Sequence, residues 1–452
     1  MDKYKKVGEL VTFSIKGVTP KYVEKSKIIV LNQKCIRNNR IDFSLARYVD
    51  EKQKISENKI VQKGDLLINS TGQGTAGRCA FVENIPEDAI LTIDSHILLL
   101  RCSSYEETKC LNYVLFSYEK QLQTFMDGST GQGELDKIKL FNLQVLIPSN
   151  RKEQKSIIDC ISDINRKIEL NNKINKELES MAKTFYEYWF VQFDFPDENG
   201  KPYKSSGGKM IYSKELKREI PEGWEAKAIS QFIGNNKGGD WGKEKEEGNY
   251  TQKVSCIRGA DLNGLNGSGG LNPPERFILE KNSNKILESH DLIVEISGGS
   301  PTQSTGRISF VIDETITRFD NPLICSNFCK SFSLENQKHL YYFIYMWNNL
   351  YDNSVLFGWE GKTSGIKNLL FDSFTQKYFI VIPSENINQK FYEKIDSLHK
   401  MKQKNLKQNQ ELSRLRDWLL PMLMNGQISV KDSDYKDNQN DLLVAQPKPE
   451  YN

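Results

Sequence analysis

The sequence predicts an α+β chain in which two similar α/β domains are separated by two long antiparallel helices packed as a coiled coil, with a pseudo-twofold internal repeat. Three observations predict it. A strand, a glycine-rich loop and a second strand are written twice, as KGDLLINSTGQGTAGRCAFVE (Lys63 to Glu83) and SHDLIVEISGGSPTQSTGRISFVID (Ser289 to Asp313). Each half then has another polar glycine segment, GSTGQGELDKIKL from Gly128 or GWEGKTSGIKNLL from Gly358, closed by VLIPS (Val145 to Ser149) or IVIPS (Ile380 to Ser384). Each half ends in a long segment of helical periodicity. A repeat at this scale fixes the architecture before any single motif is interpreted.

The helical segments carry the most information. In the first, Ile157, Ile161, Ile164, Ile168, Asn171, Asn175, Leu178, Ala182, Phe185 and Trp189 recur at spacings of four and three, the pattern of a heptad seam. Moving 234 positions along gives Phe391, Ile395, Leu398, Lys402, Asn405, Asn409, Leu412, Arg416, Leu419 and Leu423. Two asparagines fall at matching places in the two seams. A seam asparagine costs stability but fixes register, because its amide must find a partner across the interface. Asn171, Asn175, Asn405 and Asn409 are therefore the expected register residues. Lys402 and Arg416 interrupt the second seam, and ENINQKFYEKI replaces a clear EQ-type helix start, so the second helix departs from the first.

The expected organisation is a first domain over 1–149, a helix over 150–194, a linker over 195–219, a second domain over 220–384, a second helix over 385–426 and a disordered tail over 427–452. FPDENGKPYKSSGGK (Phe195 to Lys209) reads as a loop or hairpin linker, and Pro421 and Gly426 are expected to end the last helix.

Composition bounds the function. The 452 residues exceed one core, and 38% hydrophobic with 27% charged residues describes an ordinary globular chain. No run approaches the length of a membrane span and the start lacks a secretory apolar segment, so a cytoplasmic protein without a membrane partner is expected. Eight scattered cysteines without a CxxC pair and four dispersed histidines point to no disulfide scaffold and no metal site. A net charge of +3 does not by itself demand a nucleic-acid partner.

Signatures of catalysis fail on required residues. LNPPE (Leu271 to Glu275) has Glu275 where an adenine methyltransferase needs a stacking aromatic, and no cofactor loop precedes it. GQGTAGR (Gly72 to Arg78) carries Arg78 and Cys79 where a Walker A loop needs Lys and Ser or Thr, and EGKTS (Glu360 to Ser364) has Leu356 at the first glycine position. Pro196-Asp197 with Glu215-Leu216-Lys217 mimics a nuclease pattern but lies in the linker. No GxSxG elbow appears. No catalytic residue is assigned.

IPSNRKEQKSIIDCISDINRKIELNNKINKELESMAKTFYEYWFVQFDF, IPEGWE and ELSRLRDWLLPMLMNGQI closely resemble the conserved helical regions of type I restriction-modification specificity subunits. STGQGELDKIKL and LLINSTGQGTAGR look like that family's target-recognition domains, and the resemblance covers nearly the whole chain apart from the tail. It implies a subunit with two recognition domains, one for each half of a split, asymmetric double-stranded DNA target. It also implies two modification subunits as partners, two motor-nuclease subunits in the restriction enzyme, and a helix pair acting as spacer. S-adenosylmethionine, ATP and Mg2+ are then expected on the partner subunits and none on this chain. A non-DNA coiled-coil scaffold or a self-contained endonuclease are the alternative readings.

Base contacts in such domains come from Arg, Gln, Asn, Ser or Thr on loops entering the major groove, and phosphate contacts from Lys and Arg. The candidates are Ser70, Thr71, Gln73 and Arg78 in the first half and Ser300, Gln303, Thr305 and Arg307 in the second. Gly-Arg recurs in both halves although the half-sites should differ, so Arg78 and Arg307 read equally well as scaffold. Lys16, Lys21, Arg37, Arg40, Lys362 and Lys367 are backbone candidates that also read as solvated surface charges.

Overall fold

The computed structural model describes residues 4–72, 74–127, 133–267, 269–298, 303–363 and 366–430, without the side chains of Asp127, Lys362, Thr363 and Ile366. The chain forms two compact units, 1–166 with 412–452 and 167–411, and both long helices pass from one to the other. Among the described residues no helix is long and apolar enough to cross a membrane.

In the first unit, an antiparallel sheet runs Phe13–Lys16, Ile97–Arg101, Leu66–Asn69, Cys79–Phe81. A second sheet runs Ile90–Ile93, Ile28–Leu31, Arg47–Val49, Tyr22–Val23, its first pair parallel. The LLIN strand is buried on both faces because it separates two cores. Leu66 and Ile68 join the helix-side cluster while Leu67 joins the cluster toward the second sheet, as the two-residue period of a strand requires.

The second unit repeats this order. Ile233–Gly238, Cys329–Leu334, Leu292–Glu295 and Ile308–Phe310 form one antiparallel sheet. Glu275–Leu279, Tyr250–Ile257 and Leu323–Cys325 form the other, again with one parallel pair. Leu292 and Val294 face one core and Ile293 the other. Each domain is closed by a strand from its start pairing with the strand before its long helix: Lys5–Lys6 with Gln144–Val145, and Glu225–Ala228 with Phe379–Ile382.

The long helices span Arg151–Tyr186 and Glu385–Met424. Gln154 and Asn388 stand at matching positions near their starts; Gln154 Nε2 reaches the Pro148 carbonyl at 2.7 Å, and the shorter Asn388 finds the Lys338 carbonyl at 2.9 Å. Contrary to expectation, Pro421 does not end the last helix. It lies one turn from the end, where its missing N–H costs a single bond, and Leu420, Leu423 and Met424 hold that turn in the core of the first unit. Gly426, with φ of +71°, follows the helix end. Ile428 and Val430 pack on the same core, and the rest of the expected tail, 431–452, lies outside the described residues.

Residues 195–219 are packed. Phe195 stacks on Tyr203 and Trp224 at 4.6 and 4.9 Å, and Met210–Ser213 pairs with Arg218–Pro221 in a hairpin.

Within the second unit the helices run antiparallel and the seam asparagines meet. Asn171 Nδ2 donates to Asn409 Oδ1 at 2.9 Å, and Asn405 Nδ2 to Asn175 Oδ1 at 2.9 Å. Exchanging each residue for its counterpart 234 positions away converts one pair into the other, which is the signature of a twofold interface. The seam interruptions are compensated. Lys402 is buried and pairs with Glu179, while in the first unit Arg416 Nη1 donates to Asn165 Oδ1 at 3.1 Å. Burial pushes the Glu179 carboxyl up, but Lys402, His399 and the Tyr345 hydroxyl together hold the group below the usual carboxylate range.

His399 sits beside this ion pair, stacked on Tyr341 at 5.0 Å and bonded through Nε2 to Tyr345 Oη at 3.0 Å. Burial pulls its imidazole from 6.5 down to about 4. Above pH 6.5 the ring is neutral in both folded and unfolded chains. Below it the unfolded chain takes up a proton that the folded chain refuses until about pH 4, so stability falls as pH falls through that window, by about 1.4 kcal/mol per unit. Urea unfolding followed across this range is expected to show that loss in the native chain and a flatter profile in His399→Gln. Parallel profiles would refute the assignment.

Candidate nucleic-acid interface

The glycine-rich loop of the first domain is held from outside itself. Gln33 Nε2 donates to Thr71 Oγ1 at 2.9 Å, Thr75 Oγ1 donates to Gln33 Oε1 at 3.1 Å, and His96 Nδ1 lies 2.8 Å from Thr71 Oγ1. Ser70 is buried and its hydroxyl donates to the His96 carbonyl at 2.9 Å. Ser70 thus faces inward, and Thr71 already holds two partners. Gln73 lies outside the described residues.

The second loop is clamped by a different group. Glu360 Oε1 accepts from the backbone and hydroxyl of buried Thr305, at 2.7 and 3.2 Å, while its other oxygen lies 3.4 Å from Lys367 Nζ. Lys367 also donates to the Gln303 carbonyl at 3.4 Å, leaving the Gln303 side chain exposed. Ser300 lies outside the described residues, as does the Lys362 side chain.

The repeated Gly-Arg has a structural cause on its glycine. Gly77 and Gly306 have φ of +82° and +98°, and a Cβ at either would lie 2.7 Å from a leucine side chain, Leu122 or Leu356. The arginines diverge. Arg307 forms a two-bond fork with Glu295 at 2.8 and 2.7 Å, both side chains largely buried. Asn69 occupies the position of Glu295 in the first domain, and among the described residues Arg78 there pairs with Glu119 at 3.7 Å.

Arg307→Ala is therefore expected to destabilise the chain by about 3–5 kcal/mol, since it strands a buried carboxylate. Arg78→Ala should cost under about 1 kcal/mol, as a partly exposed pair contributes little. Thermal unfolding of both variants checks this; equal losses would show that the two arginines share one role.

The exposed cations lie elsewhere. Arg37 and Arg40 face each other across a two-residue hairpin whose tip, Asn38-Asn39, has φ of 52° and 57°. Lys21 is exposed, and Arg47, which the sequence did not single out, stacks 3.5 Å over the Tyr22 ring. Lys16 pairs with Glu134. Neither Gln33, His96 nor Glu360 carries a local sequence signal for its clamping role. The nuclease-like carboxylates each cap their own turn: Asp197 Oδ1 accepts from the Asn199 and Lys201 amides at 2.8 Å, and Glu215 from the Ser213 hydroxyl at 2.9 Å. Among the described residues no group of three or more His, Cys, Asp or Glu is placed to hold a metal.

Residues 2–180 match the family model of the type I restriction modification DNA specificity domain. The chain is 26% identical to the type I restriction enzyme MjaIX specificity subunit of Methanocaldococcus jannaschii over 71% of its length and 69% of that protein. It is 30% identical to the HindI specificity subunit of Haemophilus influenzae over 35% of its length and 34% of that one. The chain is thus similar to type I specificity subunits, with the domain match falling on residues 2–180. The fold agrees: a type I restriction-modification S subunit from M. genitalium superposes with a TM-score of 0.52, covering 93% of this chain and 95% of that one at 13% identity. The duplicated domains thus occur in a fold already seen in that S subunit.

Proposed function

We propose that this chain is a type I specificity subunit that reads a bipartite, asymmetric DNA target, one half with each domain, and carries two modification subunits, joined by two motor-nuclease subunits in the restriction complex. The observation that carries the reading is one strand order used twice in a single chain while the loops that follow it are held by different residues, Gln33 and His96 in one domain and Glu360 and Lys367 in the other. A shared framework with divergent loops suits two different half-sites. On this reading Ser70, Thr305 and Arg307 support the loops, and Lys21, Arg37, Arg40, Arg47 and the exposed Gln303 side chain, which also bonds Tyr351, are the groups that meet DNA.

Leu170, Ile174 and Met181 form an exposed apolar stripe on the first helix, continued by Tyr188 in the turn that follows it, which supports partner docking there. The chain supplies no chemistry of its own in this account; S-adenosylmethionine, ATP and Mg2+ belong to the partner subunits, and the complex works in the cytoplasm.

A map of methylated adenines in the source genome, compared with a strain lacking this gene, tests the proposal. One split, asymmetric motif should lose its methylation. An unchanged map would favour the non-DNA scaffold, and methyl transfer or cleavage by the purified chain alone would favour an enzyme.

A further inference from the structure

We propose that a pocket beside the seam asparagines, within residues 167–411, binds a phosphoryl anion. The pocket has a volume of about 530 Å³, and its walls include Asn175, Lys176, Glu179, Lys183, Gly267 and Lys402.

The first argument is an unmet hydrogen bond. Asn409 Nδ2 donates to Asn172 Oδ1 at 2.9 Å. The counterpart of Asn409 is Asn175, but the counterpart of Asn172 is Leu406, which offers no acceptor. Asn175 is 4% exposed, and its amide nitrogen has no partner among the described residues. A buried donor left unmade costs about 1–3 kcal/mol, and an acceptor brought by a ligand would recover it.

Charge is the second. Three ammonium groups meet one carboxylate on the walls, and Lys402 takes up that carboxylate, Glu179. Among the described residues Lys183 pairs with an exposed aspartate, Asp352, at 3.6 Å, a pair of little strength. The counterparts of Lys176 and Lys183 are Gln410 and Asp417, so this positive charge is no part of the symmetric design of the helix pair. Lysines without an arginine fork suit phosphoryl oxygens, which they bind as point charges, better than a carboxylate.

Gly267, with φ of +94°, keeps the wall low: a Cβ there would lie 3.2 Å from Leu406 and from the Lys402 stem. The volume falls within the roughly 300–1,000 Å³ of small-molecule sites. The phosphoryl group could belong to a free nucleotide or to a DNA backbone. Only the second source rests on the DNA-reading role.

Calorimetric titration of the full chain with tripolyphosphate at low salt tests the site. Saturable binding of one equivalent is expected, weakened at least about tenfold in Lys176→Gln/Lys183→Gln and unchanged in the surface control Lys52→Gln/Lys54→Gln, with circular dichroism confirming the fold of each. Displacement of the probe by a duplex carrying the target would assign the site to DNA backbone, and displacement by ATP but not by duplex would assign it to a nucleotide. Absence of saturation, or equal binding by the double variant and the control, would overturn the proposal.

Discussion

Exchanging residues 1–148 for the corresponding domain of a type I specificity subunit is expected to replace one half of the proposed methylated target and leave the other half intact. The structure makes the exchange practicable. Lys5–Lys6 pairs with Gln144–Val145, so a cut at Pro148 carries both closing strands and leaves no sheet edge behind. The incoming domain must still pack on Ile157, Ile158 and Ile161 of the first helix and on Leu420 and Leu423 of the second. A donor with apolar residues at the facing positions, those of Val7, Leu140 and Val145, is the suitable choice.

The effect should be large. Each misread base pair costs about 1–3 kcal/mol, so losing several at once weakens binding to the old target by at least about 10³-fold. Methylation mapping of the hybrid complex would read the result. A change in both half-sites would mean that the domains do not read separately.

The framework was legible in the sequence because its signals are local or periodic. The strands of Leu66–Asn69 and Leu292–Glu295 announce themselves as short apolar runs beside glycine-rich loops, and the seam as spacings of four and three. The matched asparagines carried more, since a polar residue in a seam has to be explained by a partner. Pro421 was misread because a proline signals a helix end only when packing does not oppose it, and here three buried apolar residues do.

The candidate interface was less legible, for a physical reason. Side chains on a loop read as base contacts by residue type, yet what each does depends on groups far along the chain. Thr71 is answered by Gln33 and His96, 38 and 25 residues away, and Thr305 by Glu360, 55 residues away. The same Gly-Arg dipeptide holds a buried ion pair in one domain and a loose contact in the other because Glu295 is matched by Asn69. Neither difference has a period, so no local pattern reports it.

Lengthening the helix pair by one heptad is expected to move the two half-sites apart by about three base pairs without altering either. The antiparallel pairing dictates how to do it. Asn171 meets Asn409 and Asn175 meets Asn405, so tandem duplication of Glu169–Asn175 in the first helix and of Gln403–Asn409 in the second places an asparagine opposite every asparagine. Seven residues nearly complete two turns, with a rotation error of about 20°, so the apolar seam beyond the insertion keeps its face. Each helix gains about 10.5 Å at 1.5 Å per residue, against about 3.4 Å of rise per base pair. Three base pairs also turn the duplex by about 100°, given 10–10.5 per helical turn, and the helices supply little of that rotation. The lengthened complex should therefore bind more weakly, with the deficit taken up by DNA twist. Methylation mapping of an active complex decides the outcome: a spacer longer by about three base pairs supports the helices as a ruler, and an unchanged spacer shows that something else sets the distance.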